Sequence, residues 1–405
     1  MKARFLFSLF ITVFAVYGHA KLTVQKLETP AGENSSFSRV FTDNKSNVYL
    51  SWVKHNSDKT IATLFFAQLD KDGQHWQTPI QVASGANWFN NWADFPSVVI
   101  KNNNITGHFL QKSASGTYDY DVKLTMSSDN GKNWLTPFTA HNDGVEAEHG
   151  FVSMMPQANG NTFVSWLDGR NSKETASSDE HGHAGSMTLR AGIFSSTGSA
   201  VNRWQLDHRV CDCCQTSAAL TSNGPIVVYR NRSTHEVRDI FITRLVDDIW
   251  TDPVPVHIDG WKISGCPVNG PVVMAKGQDV AVAWFTGKDQ LHQVKLATSI
   301  DGGATFSSPI IITKEHALGR VGMTLLPNKD IVVSWVKSAQ ENSELILSRY
   351  SSKGVLLSNT RVTSLSKSRR SGFPVITSVE NRVFVSWTNI EQGQKVELAQ
   401  VDYHY

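Results

Sequence analysis

Val332-Val333-Ser334-Trp335 and Val383-Phe384-Val385-Ser386-Trp387 decide how this chain folds, because the same short β-branched run ending in an aromatic recurs along its length. Earlier copies are Tyr49-Leu50-Ser51-Trp52, Gly107-His108-Phe109, Phe163-Val164-Ser165-Trp166, Ile226-Val227-Val228-Tyr229 and Val280-Ala281-Val282-Ala283-Trp284. Successive terminal aromatics lie 57, 57, 63, 55, 51 and 52 residues apart, the spacing of a repeated blade of about four strands. A second mark follows 21 to 25 residues later in four units, where an aromatic precedes a proline by three: Trp76/Pro79, Trp134/Pro137, Trp250/Pro253 and Phe306/Pro309. Between the marks run period-two segments such as Ile61 to Leu69 and Asp121 to Met126, with no sustained helical periodicity. The expectation is an all-β propeller of four-stranded blades, seven of them, or six if the weak unit at Gly107 is misread.

The last unit, from Phe373, holds only three strand-like stretches, while Leu22 to Leu27 forms an orphan strand before the first. The N-terminal strand is therefore expected to complete the final blade and remove the exposed sheet edges between the ends. Lys2 and Arg4, an apolar run from Phe5 to Tyr17 and the small residues of Gly18-His19-Ala20 read as a signal peptide over residues 1–20. Residues 21–405 then form one propeller domain, exported to a periplasm or the cell exterior and expected to be a monomer. The formal charge of +2 falls to about zero without Lys2 and Arg4, which gives no drive toward nucleic acid or anionic membrane. No other segment is long and apolar enough for a membrane span.

Two hairpins carry a family likeness. Ser127-Ser128-Asp129-Asn130-Gly131-Lys132-Asn133-Trp134 and Ser299-Ile300-Asp301-Gly302-Gly303-Ala304-Thr305-Phe306 resemble the Asp-box, or bacterial neuraminidase repeat, of sialidases and related propellers; Asp70-Lys71-Asp72-Gly73-Gln74-His75-Trp76 is a degenerate copy. An Asp side chain accepts turn N–H groups, Gly supplies a positive φ, and the aromatic packs between sheets. The resemblance implies that these turns join third and fourth strands, opposite the functional face. Chemistry then belongs on the loops Asn87 to Phe95, His141 to Gly150, Asp168 to Gly185, Cys211 to Ser217, Arg230 to Glu236, Trp261 to Gly270, Lys314 to Arg320 and Lys367 to Gly372.

It further implies an acidic sugar held by arginines, an Asp acid/base and a Tyr nucleophile activated by a Glu. Arg39, Arg230 and Arg320 are the candidate arginines, with Asp94 or Asp168 as acid/base; Arg170, Arg232, Glu148 and His149 are candidate substrate contacts. For the nucleophile no tyrosine is found on a late loop, since Tyr350, Tyr403 and Tyr405 fall in or beside outer strands.

The sialidase pattern does not require Cys211-Asp212-Cys213-Cys214, nor Cys266 on the following interblade loop, and the chain has no other cysteine. One or two disulfides would suit an exported protein. The alternative is a thiolate site for Cu or Zn, with His181 and His183 as further ligands. Three functions follow: a sialidase-like glycosidase acting on an acidic carbohydrate, a metal-binding propeller, and a non-catalytic propeller that binds a glycan or protein.

Overall fold

The computed structural model describes residues 22–173, 185–391 and 393–403, so the expected signal peptide at residues 1–20, His181, His183 and Tyr405 lie outside the described residues. The described chain is a ring of seven antiparallel blades, all β apart from three short 3-10 turns. Seven is therefore the count, and Asn104–Lys112 confirms that the weak unit at Gly107 is a blade strand.

Each blade runs outward from the ring axis in chain order. In the first, Ser35–Thr42 pairs with Val48–His55, then Ala62–Gln68, then Ile80–Gly85. The last blade is completed as expected: Val24–Leu27 pairs antiparallel with Lys395–Asp402, Val24 opposite Val401 and Leu27 opposite Leu398. Neighbouring innermost strands pack around the axis.

The repeated aromatics all lie on second strands and are buried: Trp52, Phe109, Trp166, Tyr229, Trp284, Trp335 and Trp387. A second strand has a neighbouring blade on each of its faces, so both faces need apolar side chains, and Thr162–Asp168 is buried at every position. That explains unbroken runs such as Phe163-Val164 where a half-exposed strand would alternate. Apolar clusters fill the spaces between blades, as where Trp52 and Leu50 meet Phe384 and Leu398 across the closure.

The turns at Asp129 and Asp301 are built alike. Ser127 Oγ donates to Asp129 Oδ1 at 2.8 Å and accepts from Gly131 N at 2.9 Å, and Asn133 N donates to the same carboxylate at 2.9 Å. Ser299, Gly303 and Thr305 repeat this around Asp301. Gly131 and Gly303 have φ of 83° and 84°, which a side chain would disfavour. Both turns join third strands to fourth, at the end of the ring away from the loops described next.

Innermost strands of the first, third and sixth blades carry a bulge, with Phe37, Phe151 and Arg320 at φ of 53°, 54° and 52°. A bulge re-aims side chains at a sheet rim. In the third blade, the strand His149–Pro156, this turns the N–H of Phe151 toward Asp94.

Candidate functional site

The interblade loops and the loops between second and third strands converge on one pocket with about 380 Å³ of internal space. Asn91 to Asp94 enter from the loop after the first blade, Tyr118 and Tyr120 from the second, Glu148 and Phe151 from the third. Asp212, Cys213, Arg232, Arg238 and Cys266 form the opposite wall, and Arg369 stands at the rim.

Its most unusual feature is a buried phenol between two carboxyls. Tyr120 begins the strand Tyr120–Ser127, and its hydroxyl lies 2.9 Å from Asp94 Oδ2 and 2.9 Å from Glu148 Oε1. A phenol has one proton to donate. When it bonds to one carboxylate, the other carboxyl must supply its own proton to the phenol oxygen, so the trio holds an additional shared proton.

The electrostatics agree. Burial pushes the Asp94 carboxyl up to about 7, despite hydrogen bonds from Phe151 N and Tyr120 that pull it down. Burial, with the charges of Asp94 and Asp212, pushes Glu148 well above the carboxylate range, and burial beside both acids raises Tyr120 far above a free phenol. Such coupled groups titrate as a set.

The surroundings fix this geometry. Phe151 N donates to Asp94 Oδ1 at 2.8 Å, and Phe89 stacks on Tyr120 with centroids 4.0 Å apart. A Cβ at Gly150 would collide with Asp94 Oδ2, so this position tolerates only glycine. Gln215 ties two loops together, donating to Ala93 O at 2.6 Å and accepting from Gly270 N at 3.1 Å.

Because folding raises the Asp94 pKa from its ordinary value near 3.8 to about 7, its contribution to stability is complete below pH 3.8 and is lost as pH rises through 7. The wild type should therefore become less stable from pH 4 to 7, and Asp94→Asn should flatten that slope. Denaturant melts of both proteins across this window check it; parallel curves would refute the linkage.

The candidate arginines are placed unevenly. Arg230 is fully buried and donates to the carbonyls of Asn269, Arg238 and Phe285 at 2.6 to 3.1 Å, so its guanidinium braces three backbone segments and does not face a ligand. Arg320 donates to Ser371 Oγ and Gly372 O; burial and the charge of Arg369 lower it to about 10. Arg39 is held below its ordinary pKa by burial and lies in the ring near His108, away from the pocket lining. Arg232 does line the pocket, but it is engaged with Asp212 at 2.9 Å and Glu236 at 2.9 Å.

Asp168, His149 and Arg170 form a separate structural network behind the pocket. Asp168 is fully buried and accepts from Trp166 Nε1 at 2.8 Å and from Arg170 Nε at 2.7 Å. Asp143 lies 2.9 Å from His149 and 3.0 Å from Arg170, and the His149 ring stacks on His141 at 3.6 Å. These groups bond to one another, and Asp168, His149 and Arg170, expected as acid/base and substrate contacts, do not line the pocket. Of the candidate acids, Asp94 and Glu148 are the two that line the pocket.

The search for a tyrosine followed the late loops of the resembled family and passed over Tyr120, a phenol that reaches the pocket from the second blade. Arg369 was also missed. It is exposed at the pocket rim, stands over Trp92 at 5.8 Å, and has no carboxylate partner among the described residues.

The four cysteines converge as expected from consecutive loops. Cys211 Sγ lies 3.1 Å from Cys214 Sγ and 3.9 Å from Cys213 Sγ, and Cys266 lines the same pocket wall as Cys213. Cys211 and Cys214 are buried, Cys213 is half-buried and Cys266 exposed; all four are unpaired thiols in the structure.

No protein-family model matches the chain, and no curated protein matches it. Solved structures are similar in fold. One is a polysaccharide lyase of family PL25, an ulvan lyase bound to a GlcA–Rha3S unit, at 10% identity and a TM-score of 0.58, covering 93% of this chain and 96% of that one. A Dyadobacter fermentans protein of unknown function aligns at 12% identity and a TM-score of 0.54 over 94% and 98% of the two chains. An α-L-arabinofuranosidase from Fusarium graminearum aligns at 10% identity and a TM-score of 0.49 over 95% and 98%. At 10 to 12% identity these likenesses show the propeller fold, and they single out no sialidase.

Proposed function

We propose that the chain is a carbohydrate-active enzyme that draws an acidic sugar unit into this pocket and cleaves its glycosidic linkage. The observation that carries the reading is the Tyr120 hydroxyl held between Asp94 and Glu148 in a pocket edged by Arg369, which has no carboxylate partner among the described residues. A carboxyl with a pKa near 7 can protonate a leaving oxygen at neutral pH, which an ordinary aspartate cannot. A phenol beside a second carboxyl supplies the partner that cleavage needs, as nucleophile in a glycosidase or as base in a lyase. The trio is also the Asp, Tyr and Glu set that the sialidase resemblance implies. A propeller of this architecture with a uronate-containing ligand bound adds support for an acidic glycan. Export through the leader at residues 1–20 would bring the chain to such polymers.

A panel of sialate- and uronate-bearing oligosaccharides tests this. Release of a reducing end without new ultraviolet absorbance marks hydrolysis; a new conjugated double bond marks elimination. Arg369→Ala should raise KM on the active substrate by roughly 10- to 100-fold, the worth of one charge-assisted hydrogen bond, with kcat little changed. A folded protein that cleaves no acidic glycan overturns the reading.

A further inference from the structure

The turn Cys211-Asp212-Cys213-Cys214 joins the outer strand of the third blade, Ala200–Val210, to the inner strand of the fourth, Ser217–Leu220. It is anchored at both ends: Cys211 N donates to Arg230 O at 2.9 Å, and Thr216 Oγ1 donates to Phe151 O at 2.9 Å. The Sγ atoms of Cys211, Cys213 and Cys214 lie within 4.8 Å of one another, and Cys266 approaches Cys213 from the next interblade loop. Three of the chain's four cysteines are thus gathered at one point, on backbone held by rigid elements, and the fourth, Cys266, lines the same pocket wall beside Cys213.

Sulfurs bound to one ion at about 2.3 Å stand about 3.8 Å apart in a tetrahedron and about 4.0 Å apart in a trigonal plane. The Cys211–Cys213 separation of 3.9 Å already fits that triangle, and the Cys211–Cys214 separation of 3.1 Å reaches it by opening about 0.7 to 0.9 Å, within the reach of a χ1 adjustment. A disulfide would use two of these sulfurs and would not explain why a third lies in the same group. The surroundings of Cys211 also suit a thiolate. Arg238 Nη1 points at Cys211 Sγ from 3.3 Å. A guanidinium aimed at sulfur stabilises a thiolate and has little to gain from a disulfide.

We propose that Cys211, Cys213, Cys214 and Cys266 form a binding site for one thiophilic d10 metal ion, Cu(I) or Zn(II), in the wall of the pocket. Soft sulfur donors select such ions over hard cations. Cys213 and Cys266 face the pocket, so a bound ion adjoins the space where a glycan would lie, while Cys211 and Cys214 seal it from the core side. His181 and His183 lie outside the described residues and are not needed for this ligand set. The site stands on the sulfur geometry and is independent of the reading of Asp94 and Tyr120.

The test uses the full chain, purified without chelator and with its thiols reduced, titrated separately with Cu(I) against a competing chromogenic ligand and with Zn(II) against a fluorescent one. One equivalent of at least one of the two ions should bind, and that binding identifies the ion. Cys213→Ser and Cys266→Ser alter the accessible ligands and leave the buried pair in place, so the fold should persist; each should weaken binding by at least roughly 100-fold. Asp94→Asn should bind metal as the wild type does, which separates this site from the catalytic reading. Failure of the folded, reduced protein to bind either ion overturns the proposal. So does stoichiometric binding that survives both serine variants, or a chain matured by export that carries two disulfides and takes up no metal.

Discussion

Asp94→Asn is expected to lower kcat/KM on the active acidic glycan by about 10²- to 10⁴-fold, the range over which a positioned proton donor accelerates a reaction. Asparagine matches aspartate in shape and can still accept the Phe151 N–H, so the loop should stay in place. What disappears is the proton. In the wild type, activity that depends on protonated Asp94 should fall as pH rises through about 7, and in the variant that limb of the profile should vanish along with most of the rate. Stability should move the other way: above pH 7 the wild type holds a buried carboxylate that the variant lacks, so the variant should melt at the higher temperature there. Tyr120→Phe is the companion experiment. It leaves the stacking on Phe89 and removes the oxygen between the acids, so a comparable rate loss with the fold intact would implicate the trio as a unit. An Asp94→Asn enzyme with unchanged kcat/KM and pH profile would falsify the assignment.

The ring was legible because blade packing imposes itself on sequence directly. A strand covered on both faces must be apolar throughout, which makes Val332 to Trp335 and Val383 to Trp387 look alike however far apart they are. The closure strand was legible because three strands at one end and one at the other leave a single way to complete a blade. The cysteine cluster followed from two consecutive interblade loops meeting on one rim. Side-chain direction on those loops was not legible. Asp94 and Asp168 both sit at loop positions of the same face, yet one opens into the pocket and the other is sealed behind Arg170 and Trp166. Tyr120 escaped notice because it is the first residue of a strand, where an aromatic is ordinarily core. Only the Phe151 bulge and the approach of Glu148 turn that core tyrosine into a pocket group. The Arg230 guanidinium was likewise indistinguishable in sequence from a ligand-binding one, since the carbonyls it braces come from residues 238, 269 and 285.

Asp168→Asn should therefore act on the fold and not on the chemistry. The carboxylate is fully buried and held below its ordinary pKa: burial opposes this, but Arg170, His149 and Trp166 outweigh it. Replacing it with an amide leaves Arg170 and His149 with Asp143 as their remaining acid among the described residues and places an N–H group toward a guanidinium. Breaking one side of a buried ionic network destabilises by about 3 to 5 kcal/mol. Chemical denaturation at pH 7 should register a loss of that order, with kcat per folded molecule retained. Because the native pKa is depressed, Asp168 contributes its stability above the unfolded value near 3.8 and loses it as pH falls through the native one. The gap between wild type and variant should accordingly narrow in strong acid. A variant as stable as the wild type but catalytically dead would return Asp168 to the list of acid/base candidates and displace Asp94 from that role.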